Sequence, residues 1–135
     1  MALKYRNKPV KVDGIKFASK LEKYCYDLLT GFKIPFEFQR WVDLTRPFEY
    51  YGEKIRPIRM RIDFFLTIKN EDGEYNIYLD TKGMATADTE NKFKLLKYNL
   101  VYSQYKHNVV DKVVWLRTKK EVTAFVVLLK KEHYA

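Results

Sequence analysis

Apolar and polar positions alternate most cleanly between Pro57 and Ile68. Along PIRMRIDFFLTI, Ile58, Met60, Ile62, Phe64, Leu66 and Ile68 fall on one parity, and Arg59, Arg61, Asp63, Phe65 and Thr67 on the other. A period of two predicts a strand with one face on the core. NEDG, Asn70 to Gly73, predicts a turn, and Glu74 to Lys82 a second strand paired back on the first. On that strand Tyr75, Ile77 and Leu79 share one face; Asn76, Tyr78, Asp80 and Lys82 share the other. Helical spacing occurs three times. Leu21, Tyr24, Cys25, Leu28 and Leu29 follow an S-x-x-E capping box, Ser19 to Glu22, and Gly31 closes a helix over 19–30. Phe93, Leu96 and Leu100 mark a lysine-rich helix over 88–106. Val122, Phe125, Val126 and Leu129 mark a last helix behind a second capping box, Thr118 to Glu121. Further strands are predicted at 34–42 and 111–117, a small hairpin around Gly52 within 43–57, a loop at 83–88, and an N-terminal hairpin or arm over 1–17 turning at Asp13-Gly14. This order predicts an α/β fold, a mixed β-sheet flanked by α-helices.

Composition narrows the class. A chain of 135 residues, 47% hydrophobic and 32% charged, predicts one globular domain. It contains no apolar run near the ~18 residues of a membrane span, and its first residues lack the layout of a signal peptide. The single cysteine, Cys25, excludes an internal disulfide framework and a multi-cysteine zinc site, and His107 and His133 are the two histidines. The expectation is a cytoplasmic protein with no membrane partner. Net charge sharpens it: 26 Lys and Arg against 17 Asp and Glu give +9, which attracts polyanions, nucleic acid before others.

The two central strands bring acidic groups together. Asp63 lies seven residues before Asn70, and Asp80 seven after Gly73. A loop centred on Glu71 and Asp72 puts Asp63 opposite Asp80; a two-residue turn at Asp72-Gly73 puts it opposite Lys82 and diagonal to Asp80. Cβ atoms are then ~4.5–5.5 Å apart when opposed and ~7–8 Å when diagonal. Carboxylates that close repel unless a cation lies between them. Two readings meet that need: a hard divalent ion such as Mg²⁺, which takes one or two carboxylates, or Lys82 alone as neutralising partner on a solvated face. Arg59 and Arg61 share the parity of Asp63, either gripping phosphates or pairing with that carboxylate.

Glu22 on an N-terminal helix, Asp63 on one strand, Asp80-Thr81-Lys82 ending the next, and a helix after them resemble the PD-(D/E)XK nuclease superfamily. Ile62 stands where that motif has proline, and Asp80 fills its Asp/Glu slot. KYRNKPVKVDGIKFASKLE, RIDFFL and LDTKG also resemble a family of small uncharacterised bacteriophage proteins assigned to the same superfamily and linked to recombination or replication intermediates. The likeness runs from about residue 4 to residue 106. It implies a restriction-endonuclease-like core and a Mg²⁺-dependent DNA endonuclease, with Mn²⁺ able to substitute. Asp63 and Asp80 would hold the metal, with the Thr81 carbonyl as a further ligand. Lys82 would orient or help deprotonate the attacking water and stabilise the phosphate. Glu22 would reach in as an outer or second-metal ligand, or serve only as a helix cap. The helix after the motif would face DNA through Lys92, Lys94 and Lys97, or present them to solvent.

Other residues have simpler readings. Gln39 reads as a solvated strand residue, although some superfamily members place a glutamine near the metal's water. His107 reads as a loop residue, Cys25 as core, and Trp41 and Trp115 as packing. Tyr50 and Tyr51 either pack at an edge or stack on an unpaired base. The predicted core uses nearly all of the chain and leaves no element to read bases in a groove. The expectation is recognition of DNA shape, a Holliday-junction-resolvase-like homodimer acting on branched DNA. The alternatives are a non-catalytic nucleic-acid-binding module with the same fold, and a basic phage protein that binds a host protein.

Overall fold

In a computed structural model, residues 10–12, 14–70, 73–102 and 109–133 are described. Most of the predicted N-terminal arm with Asp13, the turn residues 71 and 72, residues 103–106, and His107 lie outside them; the lysine-rich helix expected over 88–106 ends at Val101, with Tyr102 as its C-cap. The chain forms β1 (Val10–Val12), β2 (Ile15–Phe17), α1 (Lys20–Gly31), β3 (Glu37–Asp43), β4 (Phe48–Tyr50), β5 (Glu53–Ile55), β6 (Arg59–Asn70), β7 (Gly73–Thr81), α2 (Ala87–Val101), β8 (Val109–Leu116) and α3 (Lys119–His133). Four strands make the central sheet in the order β3-β6-β7-β8. The first two pairings are antiparallel and β7–β8 is parallel, with α2 as the crossover. The result is the expected α/β architecture, a mixed sheet flanked by helices. β1–β2 and β4–β5 are separate two-stranded hairpins. No helix among the described residues is long and apolar enough to cross a membrane.

Local chemistry explains the boundaries. Ser19 caps α1, its Oγ accepting the Glu22 N–H at 3.2 Å. At the other end Gly31 does not supply the left-handed residue. Lys33 does, with φ 58. Ile34 N–H donates to Leu29 O and Lys33 N–H to Thr30 O, the two bonds of a Schellman motif. Ile34 and Leu29 then join the same core cluster, so the cap also anchors the chain entering β3.

Two apolar layers sandwich the sheet. One packs Cys25 and Leu29 of α1 and Val122, Val126 and Leu129 of α3 against Phe64, Leu66, Ile68, Ile77 and Leu79. The other packs Phe93 and Leu96 of α2 against Met60, Ile62 and Leu44. This corrects the alternation read along β6. Met60 and Ile62 belong to the α2 layer, whereas Phe64, Leu66 and Ile68 belong to the α1–α3 layer. The parity breaks at Asp63, between the two layers. Ile58 lies outside both, exposed ahead of the strand.

Candidate active site

The break in β6 builds the site. Its pairing with β7 is regular from Asn70↔Gly73 to Phe64↔Leu79. That is the first of the two registers allowed by the turn, and it brings Asp63 level with Asp80. There the backbone ladder gives way to side chains. Asp63 N–H donates to Asp80 Oδ1 at 3.2 Å, and Thr81 N–H donates to Asp63 Oδ2 at 2.8 Å. Each carboxylate thus takes a backbone donor from the opposite strand. Thr81 Oγ1 donates to the same Asp63 oxygen at 2.8 Å, so Thr81 clamps Asp63 through two bonds. On the other side, β3 pairs at Phe38↔Phe64 and Arg40↔Ile62 but omits Gln39, which stands across from Asp63 with φ 56. A glutamine in the left-handed region is uncommon in a strand and costs conformational energy. The distortion lets its amide turn inward: Nε2 donates to Lys16 O at 3.1 Å and to Glu22 Oε1 at 3.4 Å.

Glu22, Asp63, Asp80 and Thr81 are the buried polar or charged residues among those described. Lys82 Nζ lies 3.1 Å from Asp80 Oδ2. That oxygen accepts no well-aligned hydrogen bond, so the ammonium offsets its charge without saturating it. Burial, and then the neighbouring Asp63 charge, push the Asp80 carboxyl well above the ordinary range, with Lys82 acting against both. Burial opposes the charge on Lys82, but Asp80 and Asp63 outweigh it and raise its pKa, so Lys82 is an ammonium as the site stands. It offers charge and hydrogen bonds, and no lone pair to accept a proton. Glu22 is raised to about 6, by burial first and the Asp63 charge second. Its Oε2 accepts the Ala18 N–H at 2.6 Å, one residue outside the predicted capping box, while Arg61 and the Gln39 amide partly offset its charge. Glu22 therefore does two things: it holds the chain entering α1 and it adds negative field to the aspartates.

Asp63 and Lys82 open into a cleft of about 250 Å³. Arg59, Arg61 and Trp41 of the β3–β6 edge line it, and from α2 come Asp88, Thr89 and Lys92. Lys92 is thus brought to the cleft, 3.4 Å from Asp88. Lys94 and Lys97 are not; with Phe93, Val113 and Trp115 they line a separate groove of about 330 Å³ between α2 and β8. Arg59 pairs with Asp43 at 2.8 Å, and not with Asp63. Trp115 packs on Phe93, and its Nε1 donates to Lys82 O at 2.7 Å, pinning the backbone that carries the lysine. Cys25 is fully buried among apolar side chains, and burial pushes its thiol pKa up, away from nucleophilic use. The alternation pattern carried the aspartates and Lys82. It had no means of signalling the Thr81 clamp or the inward turn of Gln39, which depend on the broken ladder.

The donor set suits a hard cation. Two adjacent buried carboxylates, one with an unsaturated oxygen, match an ion that accepts one or two carboxylates and keeps its remaining waters. No group of three or more His, Cys, Asp or Glu side chains is arranged around a common point among the described residues, so the side chains that could meet an ion there are the aspartate pair, with Glu22 held by its own hydrogen bonds. A family model described as "Protein of unknown function (DUF1064)" matches residues 2–118. No curated protein and no solved structure matches the chain.

Proposed function

We propose that this chain, which belongs to the DUF1064 family of proteins of unknown function, is a Mg²⁺-dependent DNA endonuclease with a restriction-endonuclease-like core. The observation that carries the reading is the paired Asp63 and Asp80, buried where the β6–β7 ladder breaks, with Asp80 Oδ2 unsaturated beside Lys82 at the foot of a basic cleft. An exposed ion-pair cluster would not need burial, and burial of like charges costs free energy unless something is gained.

Asp63 and Asp80 would hold Mg²⁺ or Mn²⁺, with the Thr81 carbonyl as a further ligand. Such an ion supplies an activated water and neutralises charge building on the phosphate. The chain's own residues do the rest. Thr81 fixes one Asp63 oxygen through two donors and leaves the carboxylate a single orientation. Lys82 presents an ammonium for a phosphate oxygen. Glu22 and Gln39 hold the α1 side of the site in place. Arg61 and Lys92 flank the cleft, where a sugar–phosphate backbone would lie.

A non-catalytic nucleic-acid-binding module is the second reading, favoured by the Lys82–Asp80 ion pair, which already offsets part of the acidic charge. Incubation with linear, single-stranded, flapped and four-way DNA in Mg²⁺, Mn²⁺ or EDTA separates them. Metal-dependent, EDTA-sensitive nicking supports the nuclease. Binding without nicking under any metal supports the module.

A further inference from the structure

Between β3 and β6 the chain leaves the sheet and returns through the β4–β5 hairpin. Its root is fixed. Leu44 N–H donates to Ile58 O at 2.7 Å, Ile58 N–H to Thr45 Oγ1 at 2.8 Å, and Asn99 of α2 donates to Leu44 O at 2.6 Å. Asp43 and Arg59, on either side of the root, are ion-paired, and Arg59 lines the cleft. The hairpin thus rises from a fixed base whose flanking residues, Trp41 and Arg59, line the cleft.

Its outer part has no reason in the fold. Phe48 and Tyr50 are more than half exposed and Tyr51 is 94% exposed, with Trp41 at 61% on the cleft wall below. Tyr51 and Gly52 form the two-residue loop joining Tyr50 to Glu53, with φ values of 44 and 85. Two successive positive φ values are those of a type I′ turn, whose first position favours Asn, Asp or Gly. A tyrosine there is strained and gains almost no burial in return. Tyr50 meets it edge to face at 4.7 Å, so the two rings form an ordered aromatic tip. Arg46, Lys54 and Arg56 are exposed on the same excursion together with Glu49 and Glu53, leaving a net positive charge, and Arg61 and Lys92 lie in the cleft beside its root. Aromatic faces interleaved with cations suit unpaired nucleotides, which offer both a π-face and a phosphate.

We propose that the β4–β5 hairpin is a reading element that stacks Tyr51 and Tyr50 on unpaired bases next to the cleft, so that the preferred substrate is DNA with single-stranded nucleotides beside the cut. This names the substrate class for the nuclease reading and rests on it for the cut, but the stacking is testable without cleavage.

The test is binding of a single-stranded oligothymidylate and of a blunt duplex in EDTA, for wild type, Tyr51→Asn and Tyr50→Ala/Tyr51→Asn. Asparagine accepts the left-handed turn, so Tyr51→Asn keeps the hairpin while removing a ring. Each lost ring is expected to weaken single-strand binding by about 5- to 150-fold and to leave duplex affinity within a few-fold. Unchanged single-strand binding, equal loss on both DNAs, or no single-strand binding by wild type would overturn the proposal, including in favour of a protein partner for the hairpin. Cleavage in Mg²⁺, assayed separately, reports on the nuclease reading: stacking with no cleavage under any metal would sink the nuclease and leave the reading element standing.

Discussion

Asp80 sits where a charge is least welcome. Its side chain is fully buried, Asp63 is beside it, and one of its oxygens is unsaturated. Asn at this position keeps the oxygen that accepts the Asp63 N–H and removes the charge that burial penalises. Asp80→Asn is therefore expected to stabilise the metal-free protein by about 1–2 kcal/mol, a few degrees of melting temperature, as often happens when a functional strain is relieved. The gain should be larger at pH 8 than at pH 5, because a raised carboxyl takes up its proton as the pH falls. Thermal melts in EDTA check this; an equal or lower melting temperature at pH 8 would mean that the carboxylate is a structural asset. Glu22 gives a second handle. Its folded pKa of about 6 exceeds the ordinary 4.5, so the folded state holds the proton more tightly. Its contribution to stability is complete below pH 4.5 and is lost as pH rises through 6. Wild type should lose about 2 kcal/mol across that window from this group. Glu22→Gln, uncharged throughout, should flatten that part of the curve of melting temperature against pH.

At the level of elements, α2 divides the basic surface. Lys92 reaches the cleft, while Lys94 and Lys97 line the groove toward β8. If DNA lies in the cleft, Arg61→Ala/Lys92→Ala should flatten the log–log salt dependence of duplex binding by about 1–2 units, and Lys94→Ala/Lys97→Ala should change it less. Affinities at several salt concentrations decide; the reverse order would move the DNA to the β8 side. The first and last helices were legible in the sequence because each had a period and a cap, whereas α2 had a period only and its N-cap is Thr86. Ser19 and Thr118 do begin their helices through Glu22 and Glu121 N–H groups. It held the register of β6 and β7 as one of two choices, both of which joined Asp63, Asp80 and Lys82. What it could not hold was the parity break at Asp63. Alternation assumes an unbroken pleat, and here carboxylates replace backbone partners while Gln39 adopts φ 56 across the sheet. The face of Lys94 and Lys97 was hidden for a related reason: helical period locates the core stripe but not which flank meets the cleft.

For the whole molecule, a net charge of +9 would attract DNA on the proposed reading, and the acidic centre interrupts that charge where a metal and a scissile phosphate would meet. Beyond the central sheet and its helices the described fold has only the β1–β2 and β4–β5 hairpins, so on the proposed reading discrimination would rest with the cleft and the β4–β5 hairpin beside it. A flap would offer the hairpin unpaired bases, a four-way branch would offer the cleft more than one duplex arm, and a two-fold dimer would place one site on each of two strands. The most direct measurement is nicking of a four-way junction and a flap, against a linear duplex of the same length and composition, by wild type and Asp80→Asn in Mg²⁺ and in EDTA. The expected result is Mg²⁺-dependent nicking that favours the branched DNAs, abolished by EDTA and by Asp80→Asn, with DNA binding by that variant retained or tighter. Cleavage by Asp80→Asn within a few-fold of wild type, or no cleavage by wild type under Mg²⁺ or Mn²⁺, would contradict it.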